Sequence, residues 1–152
     1  EVETIEKNTT FATLDWGRGR WTYNNTWYWS SLSTIIDNIP VGFNLGYGFS
    51  DRSSASENVI FYNNKIHKLD EVEFDIPKGY LERDWKINDN EERLDLTFTP
   101  IVDRKGYFNY GIIKSDQHQV FGKFSGKLIL DNKDIIILDE HLGFAEKVAN
   151  KW

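Results

Sequence analysis

Four tryptophans, two arginines and an aspartate fall between Asp15 and Trp29, in Asp15-Trp16-Gly17-Arg18-Gly19-Arg20-Trp21 and Trp27-Tyr28-Trp29. Indoles are large and seldom fully hidden, so such a cluster packs around something or stacks on something. A guanidinium bonded to a carboxylate among flat rings forms a polar post in an apolar wall. Asp15 with Arg18 is therefore a candidate post for a ligand's polar end. A structural ion pair pinning one end of the fold is the competing reading, since buried pairs serve architecture at least as often.

Two further stretches carry chemistry. In Val41-Gly42-Phe43-Asn44-Leu45-Gly46-Tyr47-Gly48, strand alternation puts Asn44 alone among glycines on one face. A strand bare on one face leaves room for a ligand or for a crossing tryptophan. Glu57-Asn58 stands at the entrance to an apolar run, Val59–Tyr62, where a carboxylate and an amide either hold a ligand or anchor a loop. The histidines, His67, His118 and His141, lack zinc-ligand spacing, so no metal site is expected. His118 reads as a turn residue and His141 as a residue near a helix start.

The elements that must position these groups are strands. Val72, Phe74 and Ile76 alternate with acids, and Leu94, Leu96 and Phe98 alternate with Asp95, Thr97 and Thr99. Val120, Phe124, Leu128 and Leu130 share a face with Gly122 and Gly126. Turns are expected at Asn63-Asn64-Lys65, Asn88-Asp89-Asn90, Ser115-Asp116-Gln117 and Asp131–Asp134, because Asn, Asp and Gly tolerate positive φ. The count comes to about nine or ten antiparallel strands in a meander, an all-β pattern. Leu142, Ala145, Val148, Ala149 and Trp152 fit a 3.6-residue period and predict one short C-terminal helix. A meander closed by one helix points to an up-and-down barrel of the lipocalin or calycin type.

At 152 residues the chain fits a single domain, with 15% aromatic residues to line a wall. The net charge of -6 argues against nucleic acid and for repulsion from anionic membranes. There is no cysteine, hence no disulfide frame, and no apolar run of spanning length. Phosphate-cradle, dinucleotide and serine-hydrolase motifs are absent, and no cofactor is expected. The chain has no methionine and begins Glu-Val-Glu, which reads as a piece of something longer. No leader is visible, so a cytoplasmic location is expected.

The blocks Asp15–Gly19, Trp27–Trp29, Gly42–Gly46 and Glu57-Asn58 together resemble the DUF2804 family. Later blocks agree: Leu94–Pro100, Phe121–Gly126, and Gly143-Phe144-Ala145-Glu146 with Trp152. The family is similar to the double-calycin group of carotenoid hydratases and AttH-like lipocalin proteins, which pair two barrels in one chain. That resemblance implies that residues 1–152 are one calycin-like barrel, the C-terminal half of a two-barrel protein, whose exposed half-interface invites dimerisation.

The expected function is binding of a hydrophobic or amphipathic small molecule in the barrel or its mouth, with Arg18, Trp29, Asn44, Glu57 and Asp15 as ligand-binding residues. The hydratase likeness implies an alternative, an enzyme acting on a lipid or isoprenoid substrate, with Asp15, Glu57 and His67 as acid–base candidates. Carbohydrate binding by exposed tryptophans on an open sheet is a third reading.

Overall fold

A computed structural model describes residues 4–6, 10–17, 19–48, 53 and 55–152. Nine strands make one antiparallel sheet: β1 (Asn24–Ile36), β2 (Ile39–Tyr47), β3 (Val59–Tyr62), β4 (Lys65–Lys68), β5 (Val72–Asp75), β6 (Trp85–Asp89), β7 (Leu94–Asn109), β8 (Lys114–Ile129) and β9 (Ile135–Lys151). Their order is β4-β3-β2-β1-β9-β8-β7-β6-β5. Sequence neighbours pair everywhere except at β4 and β5, which form the two edges, while β1 pairs with β9.

This order forces the sheet to curl. The two edge strands are joined only by Leu69, Asp70 and Glu71. Such a link reaches at most about 14 Å from Lys68 to Val72. Opposite edges of a nine-stranded sheet must therefore come together, and the product is a curled half-barrel. Its seam is closed by side chains. Asn58 Nδ2 donates to the Asp70 carbonyl at 2.7 Å, and the Phe74 amide donates to Tyr47 Oη at 3.3 Å. Arg93 donates from Nη1 to the Lys68 carbonyl, from Nε to the Ile129 carbonyl and from Nη2 to Asp131.

The face enclosed by this curl is the core. Phe43, Trp85, Phe98 and Phe124 are fully buried there, among Leu32, Leu45, Ile60, Ile87, Leu96 and Leu128. The Phe43 and Phe124 rings meet edge to face at 5.1 Å, and Trp85 meets Phe98 at 5.3 Å. Gly122 permits this packing, since a Cβ there would come within 2.6 Å of the Phe98 ring.

Several expectations need correction. Among the described residues there is no helix, and Ala145, Val148 and Ala149 belong to β9. β9 is a central strand with a ladder on each side, from Asn24↔Lys151 to Leu32↔Gly143 and from Lys114↔Lys151 to Ile129↔Ile135. Two ladders flank it from Gly143 to Lys151, and tertiary pairing overrides a local helical period. The turn expected at Ser115–Gln117 lies earlier, between Asn109 and Lys114, and Ser115 is buried. His118 is accordingly a strand residue, with Nδ1 2.7 Å from Asp103 and its ring stacked on Tyr80 at 3.8 Å. His141 is likewise on β9, with Nδ1 2.9 Å from Thr34 Oγ1.

The Asn63-Asn64 turn is as expected, with φ of 48° and 61°. Asp37-Asn38, at 50° and 64°, makes the same kind of hairpin between β1 and β2.

A candidate site on the outer face

Strand alternation places Trp27, Trp29, Ser31 and Ser33 of β1 on one face and Tyr28, Ser30 and Leu32 on the other. Leu32 belongs to the core, so the two β1 tryptophans stand on the outer face. Of the core aromatic side chains, only Trp85 is a tryptophan, and the chemistry has to be sought outside.

Ladder register then fixes the neighbours. Gly46 of β2, Trp29 of β1, Glu146 of β9 and Gln119 of β8 lie in one row across four strands. Gly46 is bare so that Glu57 can lie on it: a Cβ at 46 would fall 2.6 Å from Glu57 Oε1. Two carboxylates thus flank Trp29, Glu57 lying over Gly46 on one side and Glu146 of β9 on the other.

Three of the expected residues form one hydrogen-bonded chain. Trp29 Nε1 donates to Asn44 Oδ1 at 2.8 Å, and Asn44 Nδ2 donates to Glu57 Oε2 at 3.0 Å. Asn44 is consumed by holding Trp29 and Glu57, so it acts as a positioning residue. Glu57 and Asn58 divide the two roles considered for them. Asn58 is fully buried and anchors the seam, accepting from the Gly46 amide at 2.7 Å. Glu57 is exposed and faces a cleft.

That cleft, of about 1010 Å³, is walled by Trp16, Trp21, Trp27 and Trp152, with Asp15, Glu57 and Glu146 among them. Asn25, Thr22 and Arg20 add polar groups to its rim. The expected Asp15 is therefore part of this cleft, whereas Arg18 lies outside the described residues. His67 is elsewhere: it lies on the enclosed side, opposite Ile60, with Nδ1 3.2 Å from Asp131 Oδ2. Two smaller hollows continue along the outer face, one lined by Asn44, Glu57, Ser31 and Ser33, the next by Ser31, Ser33 and His141.

The residue that sequence reasoning missed is Glu146. It is only 8% exposed. Its Oε1 accepts from Trp27 Nε1 and its Oε2 from Gln119 Nε2, both at 3.1 Å. Burial pushes its carboxyl above the ordinary glutamate range. The Trp27 and Gln119 bonds oppose that rise, and the charge of Asp15 adds to it. Among the described residues no cation pairs with it. The signal available in sequence was Trp27 and Trp29 on one strand face, which required a partner strand to supply acceptors.

No metal-binding group of three or more His, Asp or Glu occurs among the described residues. No helix among them is long and apolar enough to cross a membrane. A family model described as "Domain of unknown function (DUF2804)" matches residues 1–152. Neither the curated proteins nor the solved structures include a match to the chain.

Proposed function

The chain belongs to the DUF2804 family, and from the outer-face cleft we propose that it binds an amphipathic small molecule. The observation that carries this reading is one juxtaposition. Four indoles wall a space of about 1010 Å³ into which a nearly buried carboxylate, Glu146, opens. Indole faces remove apolar surface of a ligand from water at about 25 cal/mol per Å². Glu146 adds something more specific. Each of its oxygens is fixed by a protein donor, Trp27 Nε1 or Gln119 Nε2. The remaining acceptor sites of the carboxyl group face the cleft, where a hydroxyl or amine of the ligand donates to them.

The nine-stranded meander reads as a lipocalin-like barrel broken at one seam, with its binding site moved from the interior to the outer face. Native mass spectrometry of the gently extracted protein tests the binding proposal. A retained small molecule is expected in the wild type and is lost in Trp27→Ala and Glu146→Ala. Extraction under several conditions with no adduct would count against binding.

A second reading has its own support. Glu146 with a raised pKa and Glu57 across Trp29 make a pair of carboxylates in different environments, the pattern of an acid and a base. In that reading a bound, oxygen-bearing substrate is protonated by Glu146. Turnover retained in Glu146→Gln with any substrate found by the mass measurement would remove it.

A further inference from the structure

The end of the β7–β8 hairpin carries large apolar side chains in water. From Arg104 to Ile113 every residue is exposed, on both faces of the hairpin. Yet Tyr107, Phe108, Tyr110, Ile112 and Ile113 are aromatic or branched aliphatic, and four of them are 43–79% exposed with Phe108 at 41%. The segment 104–114 carries Arg104, Lys105 and Lys114 and no acid, in a chain of net charge -6. The tip is held open rather than collapsed. Tyr23 Oη donates to the Ile112 carbonyl at 2.8 Å, Lys151 Nζ to the Gly111 carbonyl at 3.1 Å, and the Tyr110 amide to the Ile113 carbonyl at 2.8 Å.

We propose that this hairpin tip inserts into the surface of a lipid bilayer carrying anionic headgroups. Two arguments favour a bilayer over another protein surface. Tyr107 and Phe108 are adjacent on a strand and point to opposite faces. A docking protein covers one face, whereas a fluid interface covers both. Arg104 and Lys105 at the base of the tip complement anionic headgroups, Lys114 being 3.7 Å from Asp116, and aromatic side chains are suited to the headgroup level. A second copy would bring like charge against like charge. The whole-molecule charge predicts repulsion, but beyond a Debye length of about 8 Å the acidic body is screened, and the tip is what the membrane meets. Docking there also brings the mouth of the cleft close to the bilayer, because Trp152 donates its amide to Tyr23, the residue that props the tip. The inference stands apart from the ligand reading.

Co-sedimentation tests it, with vesicles of phosphatidylcholine alone and vesicles containing phosphatidylglycerol. The protein is expected to partition onto the anionic vesicles and to leave them as salt is raised. Arg104→Gln with Lys105→Gln should weaken that binding about 25-fold, at roughly fivefold per cation. Tyr110→Ser with Ile112→Ser should weaken it at least as much. Both pairs are exposed, so unfolding midpoints should stay unchanged. As the chain has no cysteine, Tyr110→Cys gives a single site for a polarity-sensitive fluorophore, whose emission should shift to the blue on vesicles. No partitioning, partitioning indifferent to the tip substitutions, or a label that stays in water would overturn the proposal. So would a concentration-dependent dimer that the same substitutions dissolve.

Discussion

Trp27 does not donate to the residue facing it. Its partner in the β1–β9 ladder is Val148, and its indole leans two positions along the strand to reach Glu146 Oε1 at 3.1 Å. Glu146 is itself the ladder partner of Trp29. One carboxylate therefore serves both β1 tryptophans, bonded to the first and packed beside the second, and the outer-face site is organised around it.

The charge state of Glu146 should be visible in stability. Its folded pKa is raised, chiefly by burial. The unfolded chain therefore loses this proton first as pH rises, and the folded state binds more protons in the interval between. Stability falls as pH climbs through that interval, from the ordinary glutamate range to the raised value. Glu146→Gln should remove this part of the slope. Its amide also leaves one of the two donors unmatched, a pH-independent loss of about 1–3 kcal/mol. Urea unfolding of both proteins at a series of pH values measures the two effects, and equal slopes would refute the assignment.

Asn44 links Trp29 to Glu57. Asn44→Ala should cost about 1–3 kcal/mol, because it leaves a half-buried indole donor without an acceptor. Asn44→Asp keeps the acceptor for Trp29 but sets a carboxylate against Glu57, so it should not rescue the loss. Unfolding midpoints of the two variants decide this, and a fully stable Asn44→Asp would count against the chain of bonds.

Gly46→Ala places a methyl on the Glu57 carboxylate, and 3.0 Å from the Tyr28 carbonyl. It should destabilise the protein by about 1–3 kcal/mol. Glu57→Ala should relieve part of that loss, leaving the backbone contact as the remainder. A double-mutant cycle reads the coupling, and strict additivity would mean that Glu57 does not occupy the space over Gly46.

Arg93 fastens β4 to the β8–β9 turn through two carbonyls and Asp131. Arg93→Met should cost about 2 kcal/mol or more, since three charge-assisted bonds are lost together. Arg93→Lys keeps the charge without the fork and should recover only part of it. Thermal unfolding of the pair gives the answer, and full recovery in the lysine variant would leave the fork without a role.

Much of this was legible in the residues, and for identifiable reasons. Val72-x-Phe74 and Leu94-x-Leu96-x-Phe98 alternate cleanly because one face of each strand meets water. Gly42, Asn44 and Gly46 revealed a bare face because no side chain competed for it. β9 was misread because both of its faces are partly covered, Ala145 by the core and Glu146 by Trp27. Alternation fades in such a strand, and a chance 3.6 period remains. The tryptophans showed that they share a face, but not which face the curl encloses. That depends on β1 meeting β9, a pairing more than a hundred residues apart.

The open seam has a topological corollary. With β1 laddered to β9 and no ladder between β4 and β5, the first and last strands meet in mid-sheet while the break in the sheet falls within three residues. A circular permutant in which β9 is linked to β1 and the chain is reopened at Asp70 would run β5 through β9 and then β1 through β4 as one continuous meander. Every strand pairing would become a local hairpin. Such a rewired chain should fold faster than the natural one, because its contacts lie nearer in sequence.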